Sequence, residues 1–238
     1  MPREASVREV LLRNAWFRGL PAALKDGILA EGLVRRVSDQ LVYAAGDPPN
    51  GFFALISGEI RVVQTTAAGR SALLMIASPG TWFGETAMID GQARSSDALT
   101  IGQARVLQLS PAAFRRLTSG NTEYYGAFAR LVCEQYRRAL DYIVTTSNLP
   151  LPARIAQRLL GLAHAHGRAV KEGVVIDLRL SQETLADTVG VSRQSLNRAL
   201  KALELKGVVS VGYGAVTVLD PKALEALARS QTLPEGLG

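Results

Sequence analysis

The stretch Ser181-Gln182-Glu183-Thr184-Leu185-Ala186-Asp187-Thr188-Val189-Gly190-Val191-Ser192-Arg193-Gln194-Ser195-Leu196-Asn197-Arg198-Ala199-Leu200 reads as two helices and the corner between them. Ser181, with Gln182 and Glu183 behind it, marks a helix start, and Leu185, Ala186 and Val189 share one face of that helix. Gly190 ends it, because the left-handed backbone of a helix stop is cheap for glycine. Ser192 caps the second helix. Leu196, Ala199, Leu200 and Leu203 form its inner face, and small Ala186 lets the two helices approach closely. Arg193, Gln194, Ser195, Asn197 and Arg198 remain on the outside of the second helix's start. Arginine pairs bidentately with guanine, and glutamine or asparagine with adenine. A helix start also turns free N–H groups toward phosphate. The segment therefore predicts a helix-turn-helix whose second helix enters the major groove of double-stranded DNA. An ordinary surface helix pair does not require the small Ala, corner Gly, capping Ser and acid-free helix start together.

On the C-terminal side, Lys206-Gly207 leads to Val208-Val209-Ser210-Val211 and Ala215-Val216-Thr217-Val218, joined by Gly212-Tyr213-Gly214. That pattern predicts a hairpin wing. Ser181, Gln182, Lys201, Lys206 and Tyr213 are candidate contacts to the DNA backbone, which position a domain without reading sequence. On the N-terminal side, a helix over 153–165 follows Asn148-Leu149-Pro150-Leu151-Pro152, whose two prolines predict a stiff linker.

Before that linker, residues 121–147 read as one long helix without internal proline. Its stripe Tyr125, Phe128, Val132, Gln135, Ala139, Tyr142, Thr146 alternates spacings of three and four, the seam of a two-stranded coiled coil. The expectation is a homodimer, with packing onto the chain's own strands as the alternative. Residues 34–109 carry short β-rich runs (40–43, 51–56, 59–65, 71–76, 98–101, 104–109). Gly46-Asp47-Pro48-Pro49-Asn50-Gly51, Ser57-Gly58, Gly69, Ser78-Pro79-Gly80 and Asp90-Gly91 supply turn signals between them, the texture of a β-sandwich or barrel. Two short helices over 6–33, broken at Gly19-Leu20-Pro21, precede the strands. The fold class expected is α+β in three parts: a β-roll over 1–120, a dimerisation helix and hinge over 121–149, and a winged helix-turn-helix over 150–238.

The 238 residues suffice for two modest domains, and 47% are apolar. No apolar run approaches the roughly 20 residues that span a bilayer. The N-terminus lacks the apolar stretch and cleavage site of a signal peptide, so a cytoplasmic protein with no membrane partner is expected. The net charge of +6 suits a polyanionic partner. The excess is shared evenly between residues 1–149 and 150–238, so charge alone does not locate the DNA-binding part. A single cysteine, Cys133, makes neither an intramolecular disulfide nor an iron–sulfur cluster. A β-roll metalloenzyme of the cupin kind needs several histidines on facing strands. Only His164 and His166 exist, two apart at a helix end, where they do not share a face. No metal cofactor and no nucleophile–base pairing is expected, and hence no enzyme.

Three motifs together resemble the Crp/Fnr family of bacterial transcription regulators, which includes the catabolite activator protein. They are Gly51-Phe52-Phe53-Ala54-Leu55-Ile56-Ser57-Gly58; then Gly84-Glu85 followed by Arg94-Ser95-Ser96; then Leu185-Ala186, Gly190-Val191-Ser192-Arg193 and Arg198. In order and spacing they cover about residues 15–220. The resemblance implies a jelly-roll-like cyclic-nucleotide fold, a dimer helix, a winged helix and RNA polymerase as a partner. It also implies that Arg94 pairs with a cyclic phosphate, that Ser95 and the backbone near Gly84 donate to it, and that Glu85 accepts from the ribose 2′-OH. Ser96 belongs to the same cassette. A planar guanidinium suits a phosphodiester anion. A structural Glu85–Arg94 ion pair in a roll without nucleotide is the alternative. In cAMP-responsive members an adjacent Thr and Ser on the long helix contact adenine; the matching positions here are Ala139 and Leu140. The effector thus stays open between cAMP, cyclic di-GMP, another ligand and none. A cyclic-nucleotide module that regulates a partner protein rather than DNA is disfavoured by the chemistry of residues 192–198.

Overall fold

The computed structural model describes residues 6–65, 71–176, 182–212 and 214–230, apart from the side chains of residues 145–148 and 165. Gly69, Ser181 and Tyr213 and the side chain of Thr146 lie outside the described residues. The chain divides into two compact units, Met1–Arg138 and Ala139–Gly238.

The first unit opens with three short helices, α1 (Val7–Leu11), α2 (Ala15–Arg18) and α3 (Ala22–Glu31), where the sequence predicts two. Asn14 makes the extra break: its side chain accepts from the Phe17 N–H and caps α2. Strands β1 (Leu33–Ser38), β2 (Leu41–Tyr43), β3 (Phe52–Thr65), β4 (Ser71–Ala77) and β5 (Trp82–Phe83) follow. Then come the short helix α4 (Thr86–Asp90), strand β6 (Asp97–Leu109) and helix α5 (Pro111–Thr118). Ser110 caps α5 and proline opens it, as predicted.

The strands pair antiparallel in the order β1-β6-β3-β4, with β2 added to β6 and β5 to β3. Two predicted breaks are absent. The runs 51–56 and 59–65 are a single strand, and so are 98–101 and 104–109. Ser57-Gly58 is a register shift against β6, not a turn. A bulge bends a strand without ending it, so local turn residues at such a point mislead. Strand β1, whose residues are almost all exposed, has no alternating pattern and was not legible.

Two apolar clusters fill this unit. Val37, Phe53, Leu55, Ile60, Val62, Phe83 and Val106 occupy the inside of the roll. Trp16, Phe17, Phe52, Trp82, Phe114 and Phe128 pack between the helices and the roll's other face. Ring centroids there stand 4.7–5.9 Å apart, and each aromatic pair contributes about 0.5–1.5 kcal/mol beyond area burial. Helix α6 (Thr122–Asn148) is tied to this cluster: the Trp16 indole N–H donates to the Ala127 carbonyl at 2.7 Å. Phe128, expected in a dimer seam, is 1% exposed and sits in its own chain's core. The inward face of α6 is Tyr124, Ala127, Phe128 and Leu131, so the helix packs on its own roll along this stretch.

The second unit takes the last turns of α6 and helix α7 (Leu151–His166), strands β7 (Gly167–Val170) and β8 (Gly173–Ile176), helices α8 (Gln182–Val189) and α9 (Arg193–Leu205), strands β9 (Val209–Gly212) and β10 (Ala215–Val218), and helix α10 (Pro221–Ala228). The sheet order is β7-β8-β10-β9. Helix α7 begins at Leu151, not after Pro152. Proline is tolerated in a first helical turn, where its missing N–H has no intrahelical partner, so only two residues separate α6 from α7. Ile155, Ala156, Leu159, Leu185, Leu196, Leu200, Val209 and Leu224 form the core of this unit.

Candidate functional site

The predicted Gly84, Glu85, Arg94 and Ser96 come together beside β2 and the start of β3. Arg94 is 4% exposed, and its guanidinium is spent on its own chain. Nη1 donates to the Gly84 carbonyl at 2.6 Å, and Nη2 donates to Asn50 Oδ1 at 2.8 Å and to the Gly51 carbonyl. Its flat face covers the Tyr43 ring. Its backbone pairs both ways with the loop before β3: Arg94 N–H to the Asp47 carbonyl and Gly46 N–H to the Arg94 carbonyl, each 2.8 Å. Gly84 is at φ +79, and a Cβ there would stand 2.9 Å from Nη1, so only glycine brings the turn this close. Arg94 Nε is buried without a partner.

Glu85 is buried at the start of α4. Burial pushes its carboxyl above the usual carboxylate range, against the opposing pull of its own backbone N–H, Arg94 and the Gln135 amide. Among the described residues it forms no ion pair within 4.0 Å of Arg94. The predicted alternative of a direct Glu85–Arg94 clamp is therefore replaced by a cage of carbonyl oxygens around Arg94. Ser96 is buried against the Tyr43 phenol, and Ser95 is exposed. Tyr43's pKa is pushed up to about 12, chiefly by burial. Tyr43, Asn50 and Gly51 were not anticipated as partners of Arg94; no spacing rule ties them to a residue more than 40 positions later.

Gln135, expected in the dimer seam, faces the cassette: its Nε2 donates to the Trp82 carbonyl at 3.4 Å and its amide lies beside Glu85. Tyr142 is also engaged within its own chain, donating to the Thr188 carbonyl at 3.0 Å. Tyr125 is exposed, with its hydroxyl on the Ile89 carbonyl; Val132 is half-buried and Ala139 exposed. The exposed large apolar residues of α6 are Tyr125, Tyr136, Leu140, Tyr142, Ile143 and Val144, and Cys133 is exposed with them.

In the second unit, Gly190 stands at φ +72 between α8 and α9, in the left-handed region that favours glycine. Val191 N–H returns to the Ala186 carbonyl at 3.1 Å and closes the corner. Ser192 caps α9, its Oγ accepting from the Ser195 N–H at 3.2 Å. Leu196, Leu200 and Leu203 are buried beneath, while Ser192, Arg193, Gln194 and Arg198 stand exposed on the outer side. Gln182 and Ser195 are half-buried. Asn197 is half-buried too, with its Oδ1 turned inward and unpartnered, so it is partly withdrawn from the outer face. The result is a capped, acid-free helix start presenting two guanidiniums and one amide.

Two family models match the chain, a cyclic nucleotide-binding domain over residues 34–121 and a Crp-like helix-turn-helix domain over residues 153–227. The transcriptional regulator LdrP of Thermus thermophilus is 31% identical over 192 residues, 80% of this chain and 94% of that protein. A CRP-like cAMP-activated global transcriptional regulator of Mycobacterium tuberculosis is 28% identical over 93% of this chain and 99% of its own. Among solved structures, a CRP-family transcriptional regulator of Thermus thermophilus shares 30% identity with a TM-score of 0.69, covering 82% of this chain and 97% of that one.

Proposed function

Because the chain belongs to the Crp/Fnr family of transcription regulators, which are not enzymes, we propose that it binds a near-palindromic DNA operator as a homodimer under the control of its β-roll. The observation that carries this reading is the outward set Arg193, Gln194 and Arg198 on a helix capped by Ser192 behind the Gly190 corner. Two such helices fit half-sites about 34 Å apart. The pairing surface is the outward stripe Cys133, Tyr136, Leu140 and Ile143, whose 3-4-3 spacing is that of a coiled-coil seam. It lies one residue on from the stripe predicted from sequence. The protein acts in the cytoplasm, and the bound dimer touches RNA polymerase to activate or blocks it to repress.

A cyclic nucleotide is the effector class that the first domain supports. The cAMP-activated relative from Mycobacterium tuberculosis favours cAMP. Glu85 would accept from the ribose hydroxyl. Arg94 would meet the phosphate by exchanging Asn50 and the carbonyls of Gly51 and Gly84 for it. A ligand shifts DNA binding only by its differential affinity for the two states. A second reading, control by cyclic di-GMP or by no nucleotide, is favoured by Ala139 and Leu140, which offer no hydroxyl to adenine, and by the already satisfied Arg94.

The test is a gel shift on a duplex selected by the protein from a random library, with Arg193→Ala and Arg198→Ala as controls. Selective binding by the wild type alone is expected. Equal, weak binding of all DNA by all three proteins would end the reading. Calorimetry with cAMP and cyclic di-GMP separates the effector alternatives.

A further inference from the structure

Helix α8 ends at Val189, and the carbonyls of a last helical turn have no intrahelical donors. Two of them are closed by the corner itself: Ala186 accepts from Val191 N–H at 3.1 Å and Asp187 from Gly190 N–H at 3.2 Å. The Thr188 carbonyl takes its donor from 46 positions earlier, the Tyr142 hydroxyl at 3.0 Å, on the last turns of α6. Thr188 is 1% exposed and its own hydroxyl is committed to the Leu185 carbonyl at 2.7 Å. The Thr188 end of the bond is thus buried, while Tyr142 itself is half-exposed. Arg158 of α7 lies close to the same Tyr142. Burial lowers its pKa, the nearby Tyr142 works against that, and its Nε is buried without a partner. One phenol thus joins the last turns of α6 to the end of α8, four residues ahead of the Ser192 cap.

We propose that Tyr142 is a positioning residue for DNA binding: by holding the Thr188 carbonyl it fixes the helix-turn-helix corner against the last turns of α6, and so sets the spacing at which a dimer presents its two recognition helices. This rests on the dimeric-operator reading above. Tyr142 reads no base. Its effect reaches DNA through the entry angle of α9. Adding one base pair between half-sites moves them by about 3.4 Å and turns them by about 35°. A firm joint penalises that change, and a loose one tolerates it. The weight of one hydrogen bond corresponds to about a two- to tenfold effect.

The experiment compares wild type, Tyr142→Phe and Tyr142→Ala on three kinds of duplex: the selected palindrome, the same palindrome with one base pair added or removed at its centre, and a single half-site. Tyr142→Phe should shrink the spacing penalty by about two- to tenfold and leave single half-site affinity unchanged. Tyr142→Ala should shrink it at least as much. Thermal melts establish that the variants are folded. An unchanged spacing penalty in folded Tyr142→Phe overturns the proposal. So does a parallel fall on half-sites and palindromes, which is what a purely structural role produces. A wild-type protein indifferent to spacing would instead overturn the dimeric-operator reading.

Discussion

The Arg94 guanidinium carbon stands 4.2 Å from the centre of the Tyr43 ring, holding strand β2 to the Gly84 turn through a cation–π contact. With three carbonyl-type acceptors around its rim, Arg94 is structural before any ligand arrives. Arg94→Met leaves those oxygens without their donor and should lower the unfolding free energy by about 2–5 kcal/mol. Arg94→Lys keeps the charge but cannot reach three acceptors from a planar fork, so it should recover only part of the loss. Urea denaturation without nucleotide measures both. Wild-type stability in Arg94→Met would show that the internal bonds carry no weight.

Glu85 makes stability depend on pH in a definite direction. Its folded-state pKa is raised, mainly by burial. The native state therefore holds the proton more tightly than the unfolded chain does. The stabilisation is fully present below the unfolded value of about 4.3 and is lost as pH rises through the raised folded value. Glu85→Gln, a permanent stand-in for the protonated form, should be more stable than wild type at neutral pH and show no gain near pH 4. Melting curves over that range check the sign; a gain confined to acid would reverse the assignment.

Helix α9 and its corner were largely legible because their signals are local: a capping Ser192, a corner Gly190 and a leucine face lie close together in sequence. The cassette was legible only through resemblance. Its actual partners, Tyr43, Asn50 and Gly51, reach Arg94 through sheet register, which no linear spacing encodes. One member of the predicted stripe on α6, Phe128, belongs to the chain's own core, because a long helix carries apolar residues on more than one face. Phe128 obeys the heptad and the core equally well in sequence, and burial decides for the core. Ser57-Gly58 looked like a turn because a bulge and a turn use the same residues.

Base readout and backbone contact are expected to fall on different residues of α9. Gln194→Ala should relax preference at one base pair per half-site by about 1–3 kcal/mol and leave the others intact. Lys201 is exposed further along the same helix, where a phosphate contact is expected. Lys201→Ala should weaken all duplexes alike and reduce the slope of log affinity against log salt by about one per subunit. Titrations of single-base operator variants at several salt concentrations measure both. A salt-slope change in Gln194→Ala with preference intact would exchange the two roles.

The register of the pairing helix has a chemical reporter already in the chain. In the pairing proposed above, Cys133 shares the seam with Tyr136, Leu140 and Ile143, all exposed on α6. In a parallel two-fold pair it faces its own counterpart. A disulfide forms only when the two Cα atoms come within about 7 Å. Mild oxidation should therefore give a covalent dimer on a denaturing gel, absent in Cys133→Ser. Leu140→Glu places like charges in the seam, so it should shift the protein to monomer in sedimentation and abolish the cross-link. Pairing along Tyr125, Val132 and Ala139 instead sets Cys133 to one side of the seam. A protein that sediments as a dimer yet never cross-links would restore that stripe and retire the shifted one.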